Sequence, residues 1–182
     1  MRFILIRHGQ TEWNLKGRIQ GWLDSKLTKD AVVGLKTTDL PKLYNPILFS
    51  SDLGRANQSG EIIANRIGTH VISDSRLRER RLGELEGKIA DKDHHLHAHW
   101  RTYQNRYTKQ IGNAFGIESE QDFEKRIRSF MASVNEQSSE SDIVIVSHGE
   151  WIRAFINILE GIPSWHSGSG IPDNGRAILL SA

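Results

Sequence analysis

No cysteine occurs in the 182-residue sequence, which excludes disulfides and thiolate metal sites and is compatible with a reducing compartment. Long apolar runs are also missing. The N-terminus offers only residues 3–6 before Arg7, far less than the apolar region of a signal peptide or a membrane span. The expectation is a soluble, unprocessed, cytoplasmic protein. Neither sign of charge dominates: 24 lysines and arginines stand against 22 aspartates and glutamates, a net charge of +2. The charges are scattered rather than blocked, so nothing demands a nucleic acid or a membrane surface as partner, and any preference for anions must be local. There is no internal repeat and no linker rich in proline, glycine or serine. The length suits one compact domain over 1–182 and not two ordinary ones.

What is present is an alternation of short apolar runs with helical patterns. Residues 3–6, 46–49 and 143–146 are β-branched or aromatic and bounded by polar residues, as in strands buried on both faces. Residues 53–67, 119–135 and 151–159 carry apolar side chains at spacings of three and four; Ile62, Ile63 and Ile67 share one face. A weaker helix is expected within 28–43, a short strand near 70–72 and a last strand at 177–180. This order predicts a three-layer α/β/α sandwich around a mostly parallel sheet. Residues 91–116, the most polar and least periodic stretch, read as an insertion over one edge of the sheet and a candidate for substrate selection.

The reactive side chains cluster at predicted strand ends. One strand runs into Arg7-His8-Gly9 and another into Ser147-His148-Gly149, while a third leads through Ser51-Asp52-Leu53-Gly54 to Arg55 at a helix start. In a parallel sheet the carboxyl ends of the strands form the ligand crevice, and a strand-to-helix turn offers backbone N–H groups to an anion. Two arginines and two histidines there would make a pocket suited to phosphate oxygens. Each residue has a plainer reading when taken singly. Arg7 and Arg55 could be surface charges with buried stems, and Glu79 could be a solvated partner of Arg76, Arg78, Arg80 and Arg81. His94, His95, His97 and His99 match no common metal-ligand spacing and read as exposed histidines.

Arg7-His8-Gly9-Gln10-Thr11-Glu12-Trp13-Asn14, followed by Gly17-Arg18-Ile19-Gln20-Gly21 and Leu27-Thr28, closely resembles the opening of the histidine phosphatase superfamily, the phosphoglycerate mutase-like proteins. Further motifs follow in the family's order: Ser51 to Gln58 resembles its second arginine motif, Leu77-Arg78-Glu79 with Gly83 to Gly87 its acid motif, and Gly116 to Ser119 its lead-in to a long helix. Ser147 to Arg153 resembles the second-histidine motif and Asn174-Gly175 the loop before the last strand. The resemblance spans essentially the whole chain. The sequence departs from the pattern at Lys26, where proline is usual, at Ala31, where glycine is common, and at Ser59-Gly60, where Thr-Ala is usual. These departures bear on local loop geometry.

The resemblance implies a fold and a chemistry. His8 would attack phosphorus through one ring nitrogen while a backbone carbonyl holds the other, and Arg7, Arg55 and His148 would bind the phosphoryl oxygens. Asn14, Gln20, Gly21 and Gly149 would complete the substrate site, and Glu79 would protonate the leaving alkoxide and later activate water. Glu12 and Glu150 are the next carboxylates to consider for that proton. No metal and no cofactor is implied, and the expected partner is a small phosphomonoester. Family mutases carry a longer middle segment with a proline-containing substrate loop and a tail after the last strand. Here no proline lies between Pro46 and Pro163 and the sequence stops at Ala182. The expectation is therefore a phosphatase, with phosphoglycerate mutase as the alternative and a non-catalytic phosphate-binding regulator behind it. The sequence specifies neither the particular substrate nor an oligomeric state.

Overall fold

A computed structural model describes residues 2–89, 92, 94–137 and 140–181. Its sheet has five strands, β1 (Arg2–Arg7), β2 (Ile47–Ser50), β3 (Val71–Ser73), β4 (Asp142–Ser147) and β5 (Ala177–Ser181), in the spatial order β3-β2-β4-β1-β5. All neighbours are parallel except β5, which pairs with β1 antiparallel. The helices are α1 (Glu12–Leu15), α2 (Lys29–Thr37), α3 (Gly54–Ile67), α4 (His97–Gln104), α5 (Glu120–Gln137) and α6 (Gly149–Leu159), with short 3-10 turns between them. The expected elements are present within a residue or two of their predicted bounds. Helices α1 and α4 are additions. No helix among the described residues is long and apolar enough to cross a membrane.

The three layers follow from the period-two alternation of each strand. Phe3, Leu5, Phe49, Ile143 and Ile145 face one side and pack on α5 and α6, through Phe123, Ile127, Phe130, Trp151 and Phe155. Ile4, Ile6, Leu48, Val144 and Val146 face the other and meet Leu35 of α2 and Ile63 and Ala64 of α3. Both faces of β1 and β4 are thus covered, which is why those strands read as unbroken apolar runs. At about 1.5–3 kcal/mol for each large side chain taken from water, these two layers dominate the favourable side of folding.

A third, smaller cluster joins Leu82 and Leu85 to Leu96, Trp100 and Ile117. It gives the middle segment its own packing, apart from the sheet. Within residues 91–116, positions 91 and 93 and the side chain of His94 lie outside the described part of the chain, as do Met1 and Ala182 at its ends.

Candidate active site

Three strand-to-helix turns meet at one end of the sheet. They enclose a cavity of about 130 Å³ lined by Arg7, His8, Asn14, Gln20, Gly21, Arg55, Glu79 and Gly149, together with Arg18, Ile19, Leu82, Tyr103, Glu150 and Ile171. Every residue proposed from the motifs lines this cavity except His148, whose ring centre lies 5.2 Å from that of His8.

The backbone of His8 is held from three directions. Its N–H donates to the carbonyl of Ser147 at 2.9 Å, and its carbonyl accepts from the Asn174 amide at 2.9 Å and the Gly175 N–H at 3.2 Å. The ring is held as firmly. Nδ1 lies 2.7 Å from the carbonyl of Gly9, an acceptor, so the proton resides on Nδ1; Arg55 Nε donates to Nε2 at 3.2 Å. Both contacts require the neutral tautomer with its lone pair on Nε2. Burial, and then the charges of Arg55 and Arg7, hold the pKa of this ring well below its ordinary value.

Arg55 is almost fully committed. It donates to the carbonyls of Gly21 and Leu23, each at 2.8 Å, and pairs with Asp24 at 3.2 Å. Asp24 Oδ1 also accepts the Arg55 N–H at 3.1 Å, capping α3 from a distant loop where no side chain of its own segment does so. Gly21 is required by two facts: its φ is +52°, and a Cβ there would lie 2.2 Å from Glu86 Oε1. Glu86 in turn accepts the N–H groups of Trp22 and Leu82, at 3.1 and 2.8 Å.

Arg7 donates one Nη to the Pro172 carbonyl at 2.8 Å, while its buried Nε has no partner. Gly149 opens α6 beside it, and a Cβ there would fall 2.6 Å from a methyl of Ile171. His148 Nε2 lies 2.9 Å from the Ser51 hydroxyl, and its buried Nδ1 has no partner. Burial and then Arg55 lower its pKa well below the ordinary value, so this ring too is neutral. The amide oxygen of Asn14 accepts from Thr11 N–H at 3.0 Å, and that of Gln20 lies 3.2 Å from the Thr11 hydroxyl. Their amide nitrogens therefore remain for a ligand.

The arginines around Glu79 turn away from it. Arg76 pairs with Asp74, Arg78 with Asp52 and Arg80 with Glu120, and Arg81 lies over the ring of Trp22. Glu79 Oε1 accepts the Arg80 N–H at 2.9 Å and Oε2 the Glu150 N–H at 3.3 Å. Burial first, and the neighbouring charge of Glu150 second, raise its pKa against the opposing pull of the Arg80 N–H, Arg55 and Arg7. Glu12 is exposed at the start of α1 and away from the cavity lining. Glu150 lines the cavity but is held ionised by Arg106 and Arg153, against the effect of its burial.

The departure at Ser59-Gly60 is accommodated. The Ser59 hydroxyl accepts the Gly9 N–H at 3.0 Å and donates to the Arg55 carbonyl at 2.7 Å, and a Cβ at position 60 would press on Ser50 at 3.0 Å. Among the described residues no group of three or more His, Asp or Glu is arranged to hold a metal. His99 instead pairs with Glu84 at 3.1 Å and lies over Phe115. Arg18, Tyr103, Leu82 and Ile171 carry no role in the motif reading. Arg18 sits inside a recognised motif, whereas Tyr103 and Ile171 have no local signal and reach the site only through the fold.

Fold and cavity together define an α/β protein with an arginine-lined cavity at the carboxyl ends of its strands, beside a neutral imidazole. Residues 3–180 match the histidine phosphatase superfamily (branch 1), and the chain belongs to that family. A Salmonella paratyphi A protein named "Probable phosphoglycerate mutase GpmB" is 35% identical over 170 residues, covering 91% of this chain and 77% of its own. Among solved structures, the mycobacterial glucosyl-3-phosphoglycerate phosphatase in complex with VO3 superposes with a TM-score of 0.80 at 28% identity, covering 99% of this chain and 90% of the other. The alpha-ribazole phosphatase of Shigella flexneri gives a TM-score of 0.83 at 25% identity, covering 100% of this chain and 90% of that one.

Proposed function

We propose that this member of the superfamily is a metal-independent phosphomonoester hydrolase that works through a covalent phosphohistidine on His8. The observation that carries the reading is the unprotonated His8 Nε2, met only by Arg55 Nε at 3.2 Å, on a cavity wall shared with Arg7, Arg55 and Glu79. A phosphomonoester dianion would enter with its oxygens toward Arg7 and Arg55, taking the Arg55 Nε–H from His8. His148 would add its Nδ1–H, freed for this by a hydrogen bond from Ser51 to Nε2, and Asn14 and Gln20 their amide nitrogens. Nε2 then attacks phosphorus in line with the leaving oxygen, which takes the proton of Glu79. In the second half Glu79 removes a proton from a water that attacks phosphorus, and the P–N bond breaks with its electrons returning to Nε2, releasing phosphate and restoring neutral His8. Cationic side chains occupy the role that a metal pair would otherwise fill.

The substrate is a small phosphorylated metabolite, since Ile19, Leu82, Tyr103 and Ile171 line the same cavity of about 130 Å³ as the arginines. We read the chain as one domain over 1–182 in which residues 91–116 select that substrate, and a cysteine-free, charge-balanced protein with this substrate as cytoplasmic. The relatives named as mutases favour a second reading, in which the phosphoryl group returns to another hydroxyl before water reaches it.

The test is single-turnover and steady-state hydrolysis of an aryl phosphate in excess chelator. Full activity is expected, with an acid-labile, base-stable phosphoryl label in rapid-quench samples that is lost in His8→Ala and kept in His148→Ala. Strict dependence on added magnesium or zinc, or a label that survives His8→Ala, would sink the reading. Phosphoryl return to a glycerate acceptor faster than release of phosphate would decide for the mutase.

A further inference from the structure

Glu150 is buried, at 3% exposure, and four donor groups from three residues converge on its carboxylate. Oε1 accepts from Arg106 Nε at 2.9 Å and from the Tyr107 hydroxyl at 2.5 Å. Oε2 accepts from Arg153 Nη2 at 3.0 Å and Nε at 3.3 Å. Arg153, one turn along α6, is itself tied to the carbonyls of Ser164 and His166. Arg106 and Tyr107 belong to the middle segment just after α4, and the Arg106 guanidinium lies 3.7 Å from the ring centre of Tyr103. Tyr103 forms part of the cavity wall. On the other side, the Glu150 N–H reaches Glu79 at 3.3 Å. Through its carboxylate and its backbone N–H, a single residue therefore joins the middle segment, the start of α6 and Glu79.

A buried carboxylate with two guanidinium partners stays charged, because protonating it would leave two cations unpaired in a poorly solvated place. A fixed negative charge beside a second, half-buried carboxyl favours the protonated form of that second group. We propose that Glu150 is a positioning residue: it holds the middle segment against the cavity as the wall carrying Tyr103, and it keeps the proton on Glu79. The inference rests on the reading of Glu79 as proton donor. The charged and titratable groups facing Glu79 are Arg7 from β1, Arg55 from α3, the Arg80 N–H, Tyr103 from α4 and Glu150 from α6. Those facing Glu150 are Arg106, Tyr103, Tyr107, Arg153 and Arg7. Burial raises the pKa of the Tyr103 and Tyr107 hydroxyls, so both stay neutral and the balance near Glu79 is set by Glu150 against the arginines.

The test is the pH profile of kcat/KM for an alkyl phosphate, whose alkoxide leaves only with a proton. Its alkaline limb marks deprotonation of Glu79 in the free enzyme. Glu150→Gln removes a negative charge from beside Glu79 and leaves Arg106 and Arg153 unneutralised, so the limb should move toward acid by about one pH unit. Arg106→Gln removes a positive charge and should move the limb toward alkali, while raising KM as the wall loses its attachment. Glu150→Asp keeps the charge and should bring the limb back toward its original place. Arg106 is part-buried at the surface, so its variant serves if Glu150→Gln does not fold. A purely structural role would loosen the site in either variant without opposite shifts. Limbs that stay in place, or that move the same way in both variants, would overturn the proposal. Glu79→Gln separates the two levels. If its limb persists in the wild-type position, the proton-donor reading fails and this inference with it. If its limb is lost while Glu150→Gln leaves the limb where it was, only the inference fails.

Discussion

Glu79 shows how differently a residue reads in sequence and in space. In the chain it sits among Arg76, Arg78, Arg80 and Arg81, and an exposed carboxylate so surrounded would be paired and of little consequence. In the fold three of those arginines have carboxylate partners elsewhere and the fourth covers Trp22. Glu79 is left with two backbone N–H groups and a pKa raised by burial and by Glu150. A carboxyl that keeps its proton to higher pH than usual is suited to give it up to a leaving group. A general acid matters in proportion to how badly the leaving group needs the proton, so the loss in Glu79→Gln should be selective. Turnover of an alkyl phosphate is expected to fall roughly 100-fold to 10,000-fold. Phosphorylation of His8 by an aryl phosphate should fall far less, and phosphoenzyme should then accumulate because water lacks its base. Equal losses in the phosphorylation step for both substrates would show instead that Glu79 organises its neighbours.

Among the elements, those buried on both sides were legible and those held by one side were not. Strands β1 and β4 declare themselves because each residue faces one of two helical layers, and α3, α5 and α6 because their apolar stripes must match the sheet. Helix α4 has no such stripe. It is held by Leu96 and Trp100 against Leu82, Leu85 and Ile117, which come from two other segments, so its polar sequence gave no helical period to read. Trp100 is 3% exposed in this small cluster, and its ring lies 6.3 Å from that of Tyr103. Trp100→Ala should therefore open the middle segment locally rather than unfold the sheet. Amide hydrogens over α4 are expected to lose protection while those of β1 and β4 keep theirs. KM should rise about 10-fold, the equivalent of ~1.4 kcal/mol of substrate binding. Uniform loss of protection across the sheet would show that the segment is part of the main core.

For the whole molecule the two buried imidazoles set a pH dependence of stability. His8 and His148 are held neutral in the fold, well below the ordinary pKa of 6.5. The unfolded chain takes up protons there as pH falls below that value and the folded chain does not, so the fold loses up to about 1.4 kcal/mol per pH unit for each ring. Glu79 acts in the opposite sense, because a raised carboxyl pKa contributes stability at low pH that is lost as pH rises through the folded value. Two rings against one carboxyl leave a net loss. The urea midpoint should thus be lower at pH 5.5 than at pH 7.5, and His148→Asn should narrow the gap; an unchanged gap would mean that the rings take up protons inside the fold. Apolar runs and motif order, both local, by themselves determined the sandwich, the turns that carry His8, Arg55 and His148, and the family. The tertiary structure alone decided which nitrogen of His8 holds the proton, that Asp24 caps α3 and holds Arg55, that the arginines leave Glu79 free, and that Glu150 joins the middle segment to the site. The physical reason is that periodicity records which face a residue buries, whereas a hydrogen bond or ion pair depends on partners dozens of residues away, whose identity no local pattern encodes.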